Sequence, residues 1–316
     1  MSKEKLEEFL QRARENLAKP PRPKKYPNSF DQLETWFSTE KKCRNYLCRI
    51  RWPNKTGFSC PKCGGIKAWI TDRGMRICRS CRKQISVTSG TLFENSNVKL
   101  ETWFQAIWAM ADQDGVTALR FKEKYDIGSY KTAWTIVRRI RQLMVDVQIA
   151  PVKGTVYFHW FDLHGYRRFP LHEIPKESWV ACFIQARTVR GPERINLRAI
   201  ADTDINTLSS WIRDQARAGS TIVTDESLAA QLTTLSGVKC IAQSAQEMRK
   251  ISSPVCDRLV GSMRKKKLNA GTHKRLQSYL DEHAFRFNWS MSERKHRQGY
   301  LFWKLVTAAV RSECVR

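Results

Sequence analysis

The sequence predicts a multidomain protein in which an α+β part precedes an α/β part. Three observations support this fold class: two Cys-x-x-Cys pairs lie in the first third of the chain, three helical segments separated by glycine turns follow, and strand-forming segments begin after Pro151. Strands that alternate with helices are typical of an α/β layer with a mixed sheet. The predicted order is therefore a small cysteine-bearing module, a helical module and a mixed-sheet domain.

The charge balance indicates the kind of partner. The 316 residues include 56 Lys and Arg against 30 Asp and Glu, a formal net charge of +26. This charge favours a polyanion, nucleic acid before an anionic membrane surface. Eleven Trp and fourteen Phe exclude wholesale disorder. No apolar stretch approaches the ~20 residues of a membrane-spanning helix, and the acid-rich start resembles no export signal. We therefore expect a cytoplasmic, nucleoid-associated protein without membrane association.

Two segments precede the cysteine pairs. Residues 1–26 are polar and charged and end in a proline-rich basic stretch, which predicts an arm or linker. Residues 27–57 form a predicted helical segment, because apolar residues recur there every three or four positions. Cys43 and Cys48 of this segment are interpreted as buried thiols.

The cysteine pairs of residues 58–92 have the spacing of a zinc ribbon. Each Cys-x-x-Cys places two sulfurs on one tight turn, and two such turns supply the four thiolates of a tetrahedral zinc site. In a chain without an export signal, clustered cysteines are better explained as metal ligands than as disulfides. We therefore predict a structural zinc ion at Cys60, Cys63, Cys78 and Cys81.

Basic residues accompany the cysteines. A ribbon is too small to bury them, so they lie on the surface, where they serve either solubility or phosphate contact. Given the net charge we favour phosphate contact. The predicted DNA contacts of the ribbon are Arg79, Arg82 and Lys83.

Residues 97–148 show helical periodicity in three blocks, which Gly115 and residues 126–128 separate. Three short helices with a tight turn before the last predict a helix-turn-helix, whose third helix places its first turns in the major groove. We therefore predict double-stranded DNA as the partner; a three-helix bundle with a solvated basic face is the alternative. Trp134 is assigned to the buried stripe of the third helix. The predicted DNA contacts are Ser129, Tyr130, Lys131, Thr132, Arg138, Arg139 and Arg141.

Residues 152–290 form the predicted mixed-sheet domain, and residues 291–316 a basic C-terminal helix. The predicted strands cover residues 155–163, 179–186, 195–200, 221–224 and 238–242, and the predicted helices cover residues 205–218, 254–264 and 276–287. A cationic run follows the second of these helices. Its predicted DNA contacts are Arg264, Lys265, Lys266 and Lys267.

Several long strings resemble a known family. They are residues 58–64 (FSCPKCG), 78–81 (CRSC), 84–91 (QISVTSGT), 128–134 (GSYKTAW) and 279–288 (YLDEHAFRFN). In these strings the chain resembles the insertion-sequence transposases that join a zinc ribbon to an RNase H-like DDE-type domain, related to the Merlin superfamily. The resemblance implies an RNase H-like fold for the mixed-sheet domain. It also implies that three acidic or equivalent residues hold two Mg²⁺ ions for phosphoryl transfer, and that the protein works in paired complexes as a homodimer.

The sequence departs from that family at the implied catalytic positions. An ungapped register places His159 where the first aspartate should be, and histidine is a poor Mg²⁺ ligand. Asp162 lies three positions further on, which turns its side chain to the other strand face. Asp225 matches the second aspartate. The register of the third position stays open between Cys256, Asp257 and Glu247.

Two functional hypotheses follow. The first is a transposase-derived DNA-binding protein with a degraded catalytic triad, which has lost DDE cleavage activity and acts as a sequence-preferring regulator or architectural factor. The second is an active cut-and-paste transposase with a variant site, which would use Mg²⁺ in addition to zinc. An unidentified protein partner is compatible with the first hypothesis.

Overall fold

The computed structural model describes most of the chain. The described residues are 26–53, 57–71, 74–112, 115–146, 154–163, 179–187, 191–201, 203–216, 219–235, 239–265, 273–290 and 297–311. The predicted arm of residues 1–26 therefore lies outside the described residues except for Tyr26, as do Lys266 and Lys267. No helix within the described ranges has both the length and the apolar character needed to cross a bilayer.

The first half of the chain consists of helices around a small sheet. Its elements are helices α1 (Phe30–Trp36) and α2 (Glu40–Arg51), strands β1 (Ala68–Ile70), β2 (Arg76–Cys78) and β3 (Gln84–Ile85), and helices α3 (Leu100–Ala111), α4 (Ala118–Lys124) and α5 (Tyr130–Asp146). The three strands are antiparallel in the order β1-β2-β3. The helical pattern of residues 27–57 forms two helices, because the side chains of Ser29 and Thr39 each cap a new helix start.

The second half contains a five-stranded sheet. Its elements are strands β4 (Thr155–Asp162), β5 (Trp179–Arg187) and β6 (Gly191–Ile200), helix α6 (Ile205–Gln215), strand β7 (Thr221–Asp225), helix α7 (Glu226–Leu235), strand β8 (Lys239–Gln243), and helices α8 (Ala245–Lys265), α9 (His273–Ser290) and α10 (Arg297–Arg311). The strand order is β6-β5-β4-β7-β8. Strands β4, β5 and β6 are antiparallel neighbours, whereas β7 runs parallel to β4 and β8 parallel to β7. This confirms the predicted mixed sheet, with the topology of an RNase H-like fold.

Helices cover both faces of this sheet, because alternate residues of each central strand point to opposite faces. Phe158 and Phe183 pack on one face with Trp211 of α6 and residues of α7. Cys182 and Leu197 belong to the core on the other face, with residues of α8 and α9. Both cores are thus closed by helices that follow the strands in sequence.

Helix α9 also binds the outer edge of the sheet. The Gln277 amide accepts a hydrogen bond from the backbone N–H of Ala199 at 2.8 Å and donates one to the carbonyl of Leu197 at 3.0 Å. Asn288 makes the same pair of bonds with the backbone of Ile195, at 2.7 and 2.8 Å. These amides replace a neighbouring strand on β6 and leave fewer free backbone groups at that edge.

The last helix packs in the first half of the chain and not on the five-stranded sheet. Helix α10 returns to the first half of the chain and completes its core, where Phe302 is fully buried. The Phe302 ring lies 5.7 Å from those of Phe37 and Phe104 and 5.9 Å from that of Trp108, centroid to centroid. Contacts of this kind between aromatic rings add to the gain from burial. The helical first half therefore depends on residues near the C-terminal end.

Of the two cysteines interpreted as buried thiols, Cys43 is buried, whereas Cys48 is only partly buried. Cys43 lies in the core of the first half and Cys48 packs against it. Burial raises the pKa of the Cys43 thiol to about 12, so this sulfur stays protonated and is no metal ligand.

Candidate zinc centre, nucleic-acid interface and phosphoryl-transfer site

The four predicted zinc ligands converge at one point. The Sγ atoms of Cys60, Cys63, Cys78 and Cys81 all lie within 4.8 Å of one another. The Cys60–Cys81 and Cys63–Cys78 sulfur pairs are both 3.6 Å apart. Four sulfurs at ~2.3 Å from a central zinc ion would be ~3.8 Å apart, so the arrangement fits a tetrahedral site. The ribbon carries a structural zinc ion held by thiolates.

Two matching turns position these sulfurs. In the first, the N–H of Gly64 donates to the Cys60 carbonyl at 2.8 Å, and in the second the N–H of Arg82 donates to the Cys78 carbonyl at 3.0 Å. The residue after the second cysteine is left-handed in both turns, with φ of 69° at Gly64 and 60° at Arg82. Glycine adopts this conformation freely, whereas a residue with a Cβ pays ~1–2 kcal/mol for it.

The environment of the sulfurs differs between the ligands. At Cys63 the backbone N–H of Gly65 lowers the pKa of the thiol, but hydrogen bonds with Cys81 and Cys78 outweigh it and raise this pKa to about 12. Backbone N–H groups of Cys81 and Ser80 point to the sulfur of Cys78 and hold the pKa of this thiol down at about 6, against the desolvation that would raise it. Gly65 leaves the necessary room, because a Cβ there would lie 2.9 Å from Ser80 Oγ and 3.2 Å from Cys78 Sγ. A residue larger than glycine would therefore displace a ligand turn.

The basic residues of the ribbon surround an exposed tryptophan. Trp69 is 39% exposed, and the guanidinium groups of Arg82 and Arg79 lie 4.4 and 5.4 Å from its ring centroid. Arg79, Arg82 and Lys83 are all exposed, so they are free to meet phosphate, although their contact with DNA stays a prediction. Arg76 instead stacks on Trp52 at 4.2 Å and ties the ribbon to α2.

Helices α3, α4 and α5 are the three helices of the predicted helix-turn-helix. The hydroxyl of Ser129 caps α5 by accepting from the N–H of Thr132 at 3.3 Å. Tyr130 and Lys131 are exposed in the first turn, and Arg138 and Arg139 are exposed two turns further on. Ser129 is exposed and Thr132 half-buried. The first turns of this helix therefore form a cationic and aromatic surface.

Trp134 does not lie where the sequence analysis assigned it. The indole is 38% exposed, and the Arg138 guanidinium lies 5.2 Å from its centroid. The buried stripe of α5 is formed by Ala133, Ile136, Val137 and Ile140. The assignment to the core was wrong because Trp134 shares the i, i+4 row of Tyr130 and Arg138, which faces away from that stripe.

The prediction that Arg141 contacts DNA is also wrong. Its side chain is buried at 9% exposure, and its Nε donates to Glu282 of α9 at 2.6 Å. Glu282 also binds Arg286, which donates to the backbone carbonyls of Asp112 and Met110. A buried guanidinium with an ionic partner is not available to phosphate. Arg141 instead links the helix-turn-helix to the RNase H-like domain.

The two residues at the implied first and second catalytic positions are neighbours. In the parallel register of β4 and β7, Tyr157 pairs with Val223, and His159 and Asp225 each lie two residues further along. The imidazole Nδ1 is buried and has no hydrogen-bond partner. Desolvation lowers the pKa of His159, and the positive charge of Arg249 on α8 lowers it further, while Asp225 opposes both. The imidazole is therefore held neutral.

Asp225 has a local structural role. Its Oδ1 accepts hydrogen bonds from the N–H of Leu228 at 3.1 Å and from the hydroxyl of Ser227 at 2.7 Å. These bonds cap the start of α7, where the chain turns directly from strand to helix. One oxygen of the carboxylate that the resemblance assigns to the second catalytic position is thus engaged by its own helix.

The three candidates for the third position all lie on α8 but differ in their surroundings. Glu247 pairs with the start of α8, where its Oε2 accepts from the hydroxyl and N–H of Ser244 at 2.9 and 3.3 Å. Cys256 is 2% exposed in the core beneath the sheet, and Asp257 is exposed. Across the described ranges, the cysteines of the ribbon are the one group of three or more His, Cys, Asp or Glu side chains close enough to hold a metal ion.

The cationic run after α8 is only partly described. Arg264 and Lys265 form the last two residues of α8, and nothing is described of their side chains. Lys266 and Lys267 lie outside the described residues. Their contact with DNA stays a prediction.

A thiolate zinc ribbon joined to an RNase H-like sheet defines the class of DDE-type transposase proteins. Comparison with known proteins gives the family. The model of a transposase zinc-ribbon domain of the IS1595 group matches residues 38–84, and that of the ISXO2-like transposase domain of the same group matches residues 163–288. The chain belongs to this family of transposases.

Part of the chain is also similar to a protein from a transposable element. The chain is 32% identical over 108 residues to an uncharacterized protein in the transposable element ISH50 of Halobacterium salinarum (strain ATCC 700922 / JCM 11081 / NRC-1). The match spans 33% of this chain and 35% of that protein.

Two features were not predicted from the sequence, the exposure of Trp134 and the effect of Arg249 on the pKa of His159. The exposure of Trp134 could have been found from its spacing of four from both Tyr130 and Arg138. Arg249 gave no local signal, because its approach to His159 depends on how α8 packs against β4.

Proposed function

We propose that this protein is a transposase-derived DNA-binding protein that has lost metal-dependent cleavage and acts as a sequence-preferring regulator or architectural factor. The observation that carries the proposal is the pair formed by His159 and Asp225. At the position that the resemblance implies for the first carboxylate the chain has an imidazole with a lowered pKa, and the neighbouring Asp225 caps a helix.

The ligand requirements of a two-metal site explain why His159 and Asp225 bear on cleavage activity. Two Mg²⁺ ions for an in-line phosphoryl transfer require several carboxylate oxygens around them. Asp225 is a single carboxylate, and the positive charge of Arg249 acts on the same place. A single carboxylate offers too few oxygens for two metal ions, which supports the loss of metal-dependent cleavage.

The remaining surfaces support DNA binding. Exposed cations border Trp69 on the ribbon and continue on α5 at Lys131, Arg138 and Arg139. Phosphate contacts of this kind supply affinity, and the first turns of a recognition helix supply sequence preference. The net charge of +26 adds long-range attraction to any duplex.

Cleavage is tested with the full-length zinc-loaded protein on a supercoiled plasmid that carries the flanking DNA of its own gene, with Mg²⁺ or Mn²⁺. We expect binding without nicking or strand transfer. The matched variant is His159→Asp, which restores a carboxylate beside Asp225 and should bind Mn²⁺ more tightly than the wild type by electron paramagnetic resonance. Cleavage by the wild type that disappears in Asp225→Asn would show an active transposase instead.

DNA binding is tested by fluorescence anisotropy over a range of salt concentrations. Replacing Arg138 and Arg139 by Ala should lower the slope of log affinity against log salt by about one unit per lost phosphate contact. Gln142→Ala, an exposed change on the same helix, serves as the control. An unaltered slope in the double variant would place the phosphate contacts elsewhere.

The regulatory role is tested by a genome-wide map of bound sites. Clustering at promoters supports a regulator, and clustering at inverted repeats that flank the gene supports the transposase alternative.

A further inference from the structure

An exposed row on α5 combines two aromatic rings with a cation. Tyr130, Trp134 and Arg138 follow one another at intervals of four residues, so they lie along one side of the helix. Tyr130 is 53% exposed and Trp134 38% exposed, and the guanidinium of Arg138 lies 5.2 Å from the indole centroid. Adjacent exposed aromatic rings of this kind, bordered by cations, are typical of an interaction site.

The fold does not need this row for its own stability. The core side of α5 is filled by Ala133, Ile136, Val137 and Ile140, each at most 1% exposed. Trp134 is not among the residues of that core. Its ring is therefore available for a contact outside the chain.

The neighbouring hydroxyl groups are engaged within the helix. Ser129 Oγ accepts from the N–H of Thr132, and Thr135 Oγ1 donates to the carbonyl of Lys131 at 2.8 Å. The groups left on the exposed side are an ammonium, a phenol, an indole and guanidinium groups. The indole is the largest apolar surface among them.

The charge around the row identifies the kind of partner. Lys131, Arg138 and Arg139 are exposed on the same helix, so an apolar protein surface would have to bury cations, whereas a duplex would pair them with phosphate. In the major groove the apolar group on the base edges is the C5 methyl of thymine, and apolar side chains distinguish thymine by contact with it.

We infer that Trp134 contacts the C5 methyl of a thymine in the major groove and thereby determines sequence preference, with Arg138 stacked on the indole and directed to the adjacent phosphate. This inference rests on the proposed function, because it requires that the helix-turn-helix binds duplex DNA. The preferred site should therefore contain thymine at one or two fixed positions.

The test begins with selection of the preferred site from random duplex DNA by the full-length protein. Each thymine of that site is then replaced singly by deoxyuridine, which removes only the methyl group. Burial of one such group corresponds to a loss of about fourfold in affinity. We expect this loss at one or two positions for the wild type and for Gln142→Ala, an exposed control on the same helix.

The variants at position 134 connect the methyl to the indole. In Trp134→Ala the affinity for the thymine site should fall to that of the deoxyuridine site, and the two should become indistinguishable. Trp134→Phe should retain part of the difference. Circular dichroism checks that both variants are folded, as expected for a side chain outside the core.

Three results would overturn the inference. They are a selected site without a fixed thymine, equal affinity of the wild type for thymine and deoxyuridine sites, and a Trp134→Ala variant that still discriminates between them. The last result would indicate that the aromatic row binds a protein. If the wild type bound no duplex DNA at all, the proposed function would fail with it; in the other three cases DNA binding would stand.

Discussion

The candidate metal ligands converge in the zinc ribbon but not in the RNase H-like domain. In the ribbon, the side chains of Cys60 and Cys81 and those of Cys63 and Cys78 approach to 3.6 Å, and a glycine leaves room for them. In the mixed sheet, Asp225 caps one helix, Glu247 caps another, and His159 has a buried nitrogen without a partner.

The two regions also differ in what their candidate ligands contribute to the stability of the fold. The ribbon packs apolar residues such as Phe58 and Ile85 into the shared core of the first half, and its two ligand turns are held together by the metal ligands. The RNase H-like sheet is held by two apolar layers and by the α9 amides on β6, none of which includes His159 or Asp225. We therefore expect that loss of a ligand unfolds the ribbon, whereas substitution of His159 or Asp225 leaves the sheet folded.

The largest effect is expected from the ribbon ligands. Replacing Cys60 and Cys63 by Ser should release zinc and unfold residues 58–92, because metal binding in such sites is worth ~10–16 kcal/mol. Zinc content is measured colorimetrically, and hydrogen exchange should show lost protection in the ribbon but retained protection in β4 and β5. Unchanged zinc content would contradict the assignment.

A smaller but clear effect is expected where the two regions meet. Glu282→Ala leaves the buried guanidinium groups of Arg141 and Arg286 without their shared carboxylate, which should cost ~3–5 kcal/mol of unfolding free energy in urea. Arg44→Ala removes the exposed ion pair with Glu40 and should cost less than ~1 kcal/mol. Similar losses in the two variants would mean that the buried cluster does not join the regions.

The smallest effect tests the role of Asp225. Asp225→Ala removes the cap of α7 and should cost ~1 kcal/mol, whereas Asp225→Asn keeps a capping oxygen and should cost much less. Thermal unfolding distinguishes the two. If both variants instead lost an equal amount of bound Mn²⁺ with unchanged stability, Asp225 would be a metal ligand and the contrast between the regions would disappear.

Local patterns predicted most of the elements. The strand predicted at residues 221–224 is β7 (Thr221–Asp225), and the helix predicted at residues 276–287 lies within α9 (His273–Ser290). The zinc ligands could be predicted equally well, because only two residues separate the cysteines of each pair. Periodicity and short spacing are local properties, and the sequence displays them directly.

Long-range packing could not be predicted from such local patterns. Arg141 looks like any other exposed arginine of α5 until α9 brings Glu282 to it, 141 residues further along the chain. The basic residues near the C-terminal end likewise gave no indication that Phe302 of α10 packs in the aromatic core of the first half. Which face of an amphipathic helix meets which partner depends on the whole fold, and local periodicity reports only that a face exists.

The return of α10 has a consequence during synthesis. The core that supports the helix-turn-helix contains residues from Leu33 to Val310, so it cannot close until nearly the whole chain has left the ribosome. The RNase H-like sheet, which ends with α9, can fold earlier. A truncated or unfinished chain would therefore present a folded sheet beside an incomplete DNA-binding half, and only finished molecules would compete for binding sites.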